Sequence, residues 1–168
     1  MVIDRNMTFQ LAESSATSKS ELYDQLAVQL SSLLAGERDL IANAANFSSL
    51  IFHSLPDLNW AGFYFAKDDD LVLGPFQGKP ACVRIRIGQG VCGTAAARRA
   101  TTIVPNVHEF PGHIACDSAS NSEIVIPLIK KDELIGVLDL DSPVLARFDE
   151  ADAEGLQRLA AILIATIT

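Results

Sequence analysis

The stretch EIVIPLIKKDELIGVLDLDS, residues 123–142, constrains the fold most strongly. Two apolar runs flank the polar pair Lys131-Asp132, a pattern typical of two antiparallel strands joined by a tight turn. With a turn at this pair, the numbers of facing residues sum to about 263 or 264, which places Glu123 opposite Leu140 or Asp141. Asp139 and Asp141 are two residues apart and therefore project from the same face of their strand. We therefore expect Glu123, Asp139 and Asp141 to gather at one end of this hairpin.

Three neighbouring acids need an explanation, because like charges across adjacent strands are destabilising. A strand end exposed to water would satisfy them. The apolar runs beside them instead indicate the mouth of a core, where a bound ammonium group or a hard metal ion would neutralise the charge. Magnesium or calcium would need more oxygen ligands than these three side chains offer. From the residues alone, all three interpretations stay open.

Helical periodicity frames the chain at both ends. Leucines at steps of three and four follow Ser20 as far as Gly36, and a second run extends from Leu40 to Leu55-Pro56. Near the end, Asp149 is predicted to cap a final amphipathic helix. Residues 1–18 are polar and rich in Ser and Thr, and we expect a flexible N-terminal arm there, followed by a single domain over residues 19–168.

Further strands are predicted between the helices. Residues 60–66 and 71–76 are apolar and aromatic, and the polar turn KDDD joins them into a hairpin. Residues 81–88 alternate as a half-exposed strand does, a glycine turn then leads into a short helix, and TTIVPNV predicts one more short strand. Residues 106–122 form a long loop, and loops of this length in a small domain are usually functional. The elements together predict one α+β domain.

Composition excludes several classes of partner. The chain has 168 residues, with 13 basic residues against 21 acidic ones and a formal net charge of -8. A surface of this sign repels nucleic acid. No apolar stretch reaches the roughly 20 residues that a membrane helix requires. The N-terminal residues contain an early acid and no apolar core, so they do not resemble a secretory signal. We expect a cytoplasmic protein that binds neither nucleic acid nor membranes.

The three cysteines, Cys82, Cys92 and Cys116, allow more than one interpretation. A zinc site would combine them with His113 or His108, but the short C-x2-C pairs of structural zinc sites are missing, and we expect no metal. Cys92, within GVCGTA, fits a small buried thiol. Cys82 begins a strand and Cys116 lies in the polar loop, which are positions typical of accessible thiols. A redox pair is one possibility that the spacing leaves open.

Five segments carry a more specific signal: NWAGFY (59–64), LGPFQGKPACVRI (73–85), IGQGVCGTA (87–95), VPNVHEFPGHIACDSASNSEIVIPL (104–128) and IGVLDLDSP (135–143). Together they resemble the GAF-domain free methionine-(R)-sulfoxide reductases, from about residue 20 to the end of the chain. The resemblance implies a GAF fold, with a central six-stranded antiparallel sheet, N-terminal helices and a C-terminal helix around it, and a closed pocket over one face.

The resemblance also implies the reaction and its residues. Free methionine-(R)-sulfoxide would be reduced to methionine, with Cys116 as the nucleophile, Cys82 as the resolving cysteine and Cys92 as an auxiliary thiol. The acids Glu123, Asp139 and Asp141 match the substrate-binding acids of the family. Trp60 and Tyr64 match its aromatic pocket wall, although ordinary core packing would also explain two aromatic residues in a strand.

The implied catalytic cycle needs a reductant rather than a cofactor. Attack by the thiolate would give a sulfenic acid, a second thiol would convert it to an intramolecular disulfide, and thioredoxin would reduce that disulfide. A homodimer agrees with the resemblance and with the apolar helices at both ends. The alternative is a GAF module that binds a small molecule without catalysis and acts as a sensor.

Overall fold

A six-stranded antiparallel sheet forms the centre of the fold, in the order β3-β2-β1-β6-β5-β4. The computed structural model describes residues 11, 14–113 and 118–167. The predicted α+β fold with a six-stranded antiparallel sheet is confirmed. The elements in chain order are α1 (Lys19–Leu33), α2 (Leu40–Ser54), β1 (Trp60–Lys67), β2 (Asp70–Gly78), β3 (Arg84–Arg86), α3 (Gly90–Arg98), β4 (Thr102–Val104), a 3-10 helix (Val107–Glu109), β5 (Ser122–Lys130), β6 (Glu133–Ser142) and α4 (Glu150–Thr166).

The two faces of the sheet are covered differently. Helices α1, α2 and α4 pack on one face and bury a large apolar core that includes Leu30, Phe47, Phe63 and Leu159. The other face is covered by α3 and by the connections around it, and its core is smaller. We call the first the helix face and the second the pocket face. Side chains alternate between the faces along each strand, so neighbouring residues of β1 and β6 belong to different environments.

The β5–β6 hairpin has the predicted turn. Lys131 and Asp132 adopt positive φ angles of 48° and 63°, as a two-residue hairpin turn requires, and Lys130 pairs with Glu133. An irregularity between Leu128 and Ile129 then shifts the register by one residue. As a result Glu123 pairs with Asp141, which is one of the two partners that the sequence allowed.

The β1–β2 hairpin is confirmed, but the third predicted strand was too long. Only Arg84–Arg86 of residues 81–88 form a strand. Ile87 still donates its N–H to the carbonyl of Asp69, but Gly88 has a φ of 94° and turns the chain toward α3. The predicted strand was too long because the alternation of apolar and basic residues extends beyond the last residue that pairs with β2.

Helices α1, α2 and α4 begin at capping side chains. Ser18 and Asp39 accept N–H bonds at the starts of α1 and α2, and Asp149 caps α4 as predicted, in a reciprocal capping box with Asp152. Most of the predicted N-terminal arm lies outside the described residues, while Thr17 bonds the Glu21 carboxylate of α1. Within the ranges that the structure covers, no helix combines the length and apolar character needed to span a bilayer.

Candidate active site

A pocket opens between the sheet and α3, at the end of the sheet where the three acids meet. Its floor is formed by strands β1, β5 and β6, and one wall is the first turn of α3. The residues that line it are Trp60, Tyr64, Pro80, Ala81, Ile85, Gly90, Val91, Cys92, His113, Ser120, Glu123, Asp139 and Asp141. Six of the eight predicted site residues therefore line one pocket.

The acids reach the pocket through the strand register. Glu123 pairs with Asp141 across β5 and β6, and Asp139 pairs with Gly62 of β1 on its other side. Both Glu123 and Asp139 are only 6% exposed. The hairpin geometry thus places two carboxyl groups inside the protein rather than at a solvated strand end, which removes the first of the three interpretations.

Helix α3 adds a thiol to the acids. The Cys92 Sγ lies 3.8 Å from Glu123 Oε1, and the sulfur and one oxygen of each of Glu123 and Asp139 all lie within 4.8 Å of one another. This approach depends on Gly93, since a Cβ there would stand 2.4 Å from the carbonyl oxygen of Arg86. The absence of a side chain lets α3 press against β3 and carries Cys92 toward the sheet.

Burial changes the ionisation of this cluster. Removal from water, followed by the charges of Asp139 and Asp141, raises the pKa of Glu123 well above its ordinary value. Burial also raises the pKa of Asp139 to about 7. The pKa of Cys92 is raised as well, first by burial and then by the neighbouring charges of Asp139 and Glu123. At neutral pH the cluster therefore holds protons on groups that would be ionised in water.

The cluster has unused bonding capacity. Asp139 Oδ1 is buried and has no hydrogen-bond partner in the part of the chain that the structure describes. Over the same ranges, no lysine or arginine forms an ion pair with Glu123 or Asp139. A buried carboxyl oxygen without a partner is costly, and such groups concentrate at functional sites. A ligand that brings positive charge or a hydrogen-bond donor would satisfy it.

The aromatic wall is built from three rings. Trp60 stacks against Phe76, with ring centres 5.3 Å apart, and against Tyr64 at 5.9 Å. Its Nε1 donates to the carbonyl of Lys79. Gly62 leaves room for the stack, because a Cβ there would meet Phe76 Cβ at 2.3 Å and Trp60 Cη2 at 2.8 Å. The wall therefore presents a fixed aromatic surface beside the acids.

Tyr64 has a second contact outside the ring stack. Its hydroxyl donates a 3.0 Å hydrogen bond to the carbonyl oxygen of Cys82. Burial raises the pKa of this phenol, which stays protonated and keeps its capacity to donate. One predicted wall residue thus holds the backbone of a predicted redox cysteine.

The predicted cysteines have different environments. Cys92 is a free thiol, 3% exposed, and its expected burial is confirmed. Cys82 is partly buried and disulfide-bonded. Cys116 lies outside the described residues, so its position in the site stays a prediction.

Two pocket residues were not assigned from the sequence. His113 Nε2 lies 3.8 Å from Glu123 Oε2, and burial together with His108 lowers the pKa of His113. Because burial raises the pKa of Glu123, the two groups meet mainly as neutral side chains. Ser120 accepts a hydrogen bond from Asn59 Nδ2 at 3.0 Å. Both residues belong to the predicted loop of residues 106–122, which also contains Cys116. This position is the one feature of the sequence that could have identified them as site residues.

Comparison with known proteins agrees with this site. Residues 19–167 match the family model of the GAF domain. The free methionine-R-sulfoxide reductase of Escherichia coli (strain K12) is 56% identical over 146 residues, which cover 87% of this chain and 88% of that protein.

Solved structures show the same relationship. A crystal structure of a Burkholderia vietnamiensis protein assigned as a GAF sensor is 62% identical, covers 89% of this chain and 96% of that chain, and superimposes with a TM-score of 0.86. The free methionine-R-sulfoxide reductase of Neisseria meningitidis, solved in complex with its substrate, is 46% identical, covers 94% and 95% of the two chains, and has a TM-score of 0.89. The chain belongs to the GAF-domain family and, within it, to the free methionine-R-sulfoxide reductases.

Proposed function

We propose that this protein reduces free L-methionine-(R)-sulfoxide to methionine. One observation carries the proposal: Glu123 and Asp139, two buried acids that pair with no lysine or arginine among the described residues, adjoin a rigid aromatic wall in one pocket. The 56% identity to the Escherichia coli reductase supports the choice of substrate. The protein is accordingly an oxidoreductase.

The pocket chemistry fits this substrate at both of its ends. Carboxylates among Glu123, Asp139 and Asp141 would bind the α-ammonium group, which brings the positive charge that the cluster lacks. The face of Trp60 would pack on the S-methyl group, whose carbon carries partial positive charge next to the sulfoxide sulfur. Tyr64 would complete the wall and fix the segment that carries Cys82.

The first chemical step is an attack by the Cys116 thiolate on the sulfoxide sulfur. As the S–O bond breaks, the oxygen passes to Cys116 as a sulfenic acid and methionine leaves, with its sulfur reduced by two electrons. A protonated carboxyl must give its proton to the oxygen during this step. Asp139, whose pKa is raised to about 7 by burial, is a suitable donor at neutral pH.

The second step restores the thiols. The Cys82 thiol condenses with the Cys116 sulfenic acid, which forms a disulfide and releases water. Thioredoxin then reduces the disulfide by exchange through a mixed disulfide. Cys92 fits an auxiliary role, because a buried thiol of raised pKa is a weak nucleophile. The cycle needs no bound cofactor, and it needs a reducing compartment, for which we propose the cytoplasm.

The alternative function is a GAF module that binds a small molecule without reacting. The similarity to the Burkholderia vietnamiensis protein assigned as a GAF sensor supports this alternative function. The same pocket would then bind its ligand through the acids and the aromatic wall, while the cysteines would play no part. Turnover separates the two functions.

The experiment is an assay of methionine formation from each epimer of free methionine sulfoxide, with dithiothreitol or thioredoxin as reductant. We expect turnover of the R epimer only, and a loss of about a thousandfold or more in Cys116→Ser. Cys82→Ser is expected to keep activity with dithiothreitol and to lose it with thioredoxin. Binding of the R epimer without turnover would establish the sensor instead. Sedimentation of the same samples tests the expected homodimer.

A further inference from the structure

We propose that Cys92, Glu123 and Asp139 form a binding site for a thiophilic divalent cation of the zinc type, and that this cation competes with the substrate. From the sequence we expected no metal, because a zinc site made of the three cysteines and a histidine lacks the usual ligand spacing. The fold instead brings one cysteine together with two acids. No contact of this kind follows from sequence spacing, because the three residues come from α3, β5 and β6.

The distances suit tetrahedral zinc. With a Zn–S bond of about 2.3 Å and a Zn–O bond of about 2.1 Å, a tetrahedral ion holds its sulfur and oxygen ligands about 3.6 Å apart. Cys92 Sγ and Glu123 Oε1 are separated by 3.8 Å. All three donor atoms lie within 4.8 Å of one another, so small rotations of the side chains would close the site.

A second observation points to a ligand at this place. Asp139 is 94% buried, and its Oδ1 has no hydrogen-bond partner among residues 11, 14–113 and 118–167. Asp139 lines the pocket together with Cys92. A buried oxygen of this kind is satisfied by a proton, a hydrogen-bond donor or a cation.

The donor set selects the type of cation. A thiolate sulfur excludes magnesium and calcium, which prefer oxygen ligands, and favours zinc or cadmium. Three protein ligands leave a fourth position open toward the pocket, where water can bind, as in zinc sites with an open coordination position. A cation there would also balance the negative charge that the cluster acquires when it loses its protons.

Binding must displace protons. Zinc binds the thiolate and the carboxylates, so its affinity should rise with pH as the donors ionise. The His113 ring is also near, but its Nε2 contacts the other oxygen of Glu123 and lies outside the three-donor cluster. The titratable groups that face the site are Cys92 from α3, Tyr64 from β1, Glu123 from β5, Asp139 and Asp141 from β6, and His113 from the loop.

The consequence for activity rests on the proposed function. A cation held by Glu123 and Asp139 takes the groups that would bind the ammonium and donate the proton. Zinc should therefore weaken binding of methionine sulfoxide, and methionine sulfoxide should displace zinc. The cation acts in this scheme as an inhibitor and has no part in the reaction.

The test uses a full-length protein in which Cys92 is the sole thiol, made by the substitutions Cys82→Ser and Cys116→Ser. Cadmium chloride is titrated into this protein in chelator-free buffer, and binding is followed by ultraviolet absorption from the cadmium–sulfur bond and by calorimetry with zinc chloride. We expect one ion per chain, an absorption band for one thiolate ligand, and tighter binding at pH 8 than at pH 6.

Two further substitutions in this background test the ligands. Cys92→Ser should abolish the sulfur band, and Asp139→Asn should weaken cation binding by about a hundredfold or more, because even outer-shell changes at metal sites cost about 10–100-fold. Glu133→Gln, an exposed acid in the same hairpin, should leave the affinity unchanged. Circular dichroism confirms that each variant is folded.

The outcomes are distinct. A folded sole-thiol protein without the sulfur band, or with equal affinity in Asp139→Asn, would overturn the cation site. Cation binding to the sole-thiol protein that R-methionine sulfoxide fails to displace, when the wild-type protein reduces this substrate in the turnover assay, would overturn the competition alone. Failure of the turnover assay with intact cadmium binding would count against the proposed function and leave the cation site standing.

Discussion

Among the residues that the structure describes, one aspartate is buried on each side of the sheet, and the two have opposite surroundings. On the helix face, Asp152 is 1% exposed and contacts Tyr23, Lys19 and Arg147. On the pocket face, Asp139 is 6% exposed, and its neighbours are the thiol of Cys92 and the carboxyl of Glu123. The first acid is surrounded by donors, while the second shares its site with other acidic groups.

From this difference we infer that Asp152 is a structural acid, and we propose Asp139 as a functional one. Asp152 joins α4 to α1 through Tyr23 and Lys19, and Arg147 extends the network to the carbonyl of Pro56. All its partners are supplied by the fold. Asp139 has a carboxyl oxygen for which the described residues supply no partner. Burial alone does not reveal a site, whereas burial without partners does.

Removal of the structural acid should have the largest effect on stability. Asp152→Ala leaves Arg147, which is 9% exposed, and Tyr23 without their partner. We expect a loss of about 3–5 kcal/mol in the free energy of unfolding, measured by urea denaturation at pH 7. Activity per folded molecule should stay near the wild-type value.

The matched control for that change is Asp149→Ala, which removes an exposed member of the same network. Asp149 caps α4, so its loss should cost about 1 kcal/mol. An Asp152→Ala protein that is as stable as the wild type but inactive would reverse the roles assigned to the two faces.

Substitution of Asp139, the proposed functional acid, should reduce activity rather than stability. Asp139→Asn keeps the shape of the side chain but cannot donate a carboxyl proton, and we expect kcat/KM for the R epimer to fall by about a hundredfold or more. The steady-state assay at pH 7 measures this. A variant with wild-type kcat/KM would show that another acid donates the proton.

The stability of the wild-type protein should depend on pH through Asp139, and Asp139→Asn should remove that dependence. The pKa of Asp139 is raised by burial from 3.8 to about 7, so the native protein holds this proton more tightly than the unfolded chain does. Its contribution to stability is therefore greatest below pH 4 and falls as the pH rises to about 7, by up to about 4 kcal/mol. Asp139→Asn should remove this fall and be at least as stable as the wild type at pH 8.

Smaller effects on stability are expected at two buried tyrosines, one on each face of the sheet. Tyr23→Phe loses a hydrogen bond to a carboxylate and should cost about 1.5–3 kcal/mol of stability without a change in activity. Tyr64→Phe loses a bond to the carbonyl of Cys82 and should cost about 1 kcal/mol.

For Tyr64→Phe we also expect slower turnover with thioredoxin than with dithiothreitol, because the Cys82 segment is held less firmly. Urea denaturation and the two assays measure both proteins. Equal losses of turnover in the two variants would argue that the hydroxyl contacts affect only the overall fold.

The sequence was sufficient to place the acids. Apolar runs on both sides of Lys131-Asp132 define a hairpin, and the period of two then puts Asp139 and Asp141 on one face. The register remained uncertain by one residue, because Pro127 and Gly136, which adjoin the irregularity at Leu128, indicate a bulge without fixing its position. Residue propensities also predict the ends of elements only approximately. The exact positions of the caps at Ser18 and Asp39 and of the end of β3 near Gly88 depend on local backbone geometry.

Contacts between distant segments could not be predicted in this way. Lys19 and Asp152 lie 133 residues apart, and no periodicity connects them. Cys92 meets Glu123 only because Gly93 lets α3 approach β3, which is a property of packing in three dimensions. The assignment of Cys116 came from resemblance to a family, since its surrounding residues allowed several interpretations.

The most direct test of the central claim is a titration of the Asp139 carboxyl by carbon-13 NMR, with its resonance assigned by comparison with Asp139→Asn. We expect a pKa of about 7 in the substrate-free protein, and a shift of this titration when methionine sulfoxide binds. A carboxyl that titrates near its ordinary value of 3.8, or that substrate leaves unchanged, would contradict the claim that the pocket face keeps an unpaired acid for its ligand.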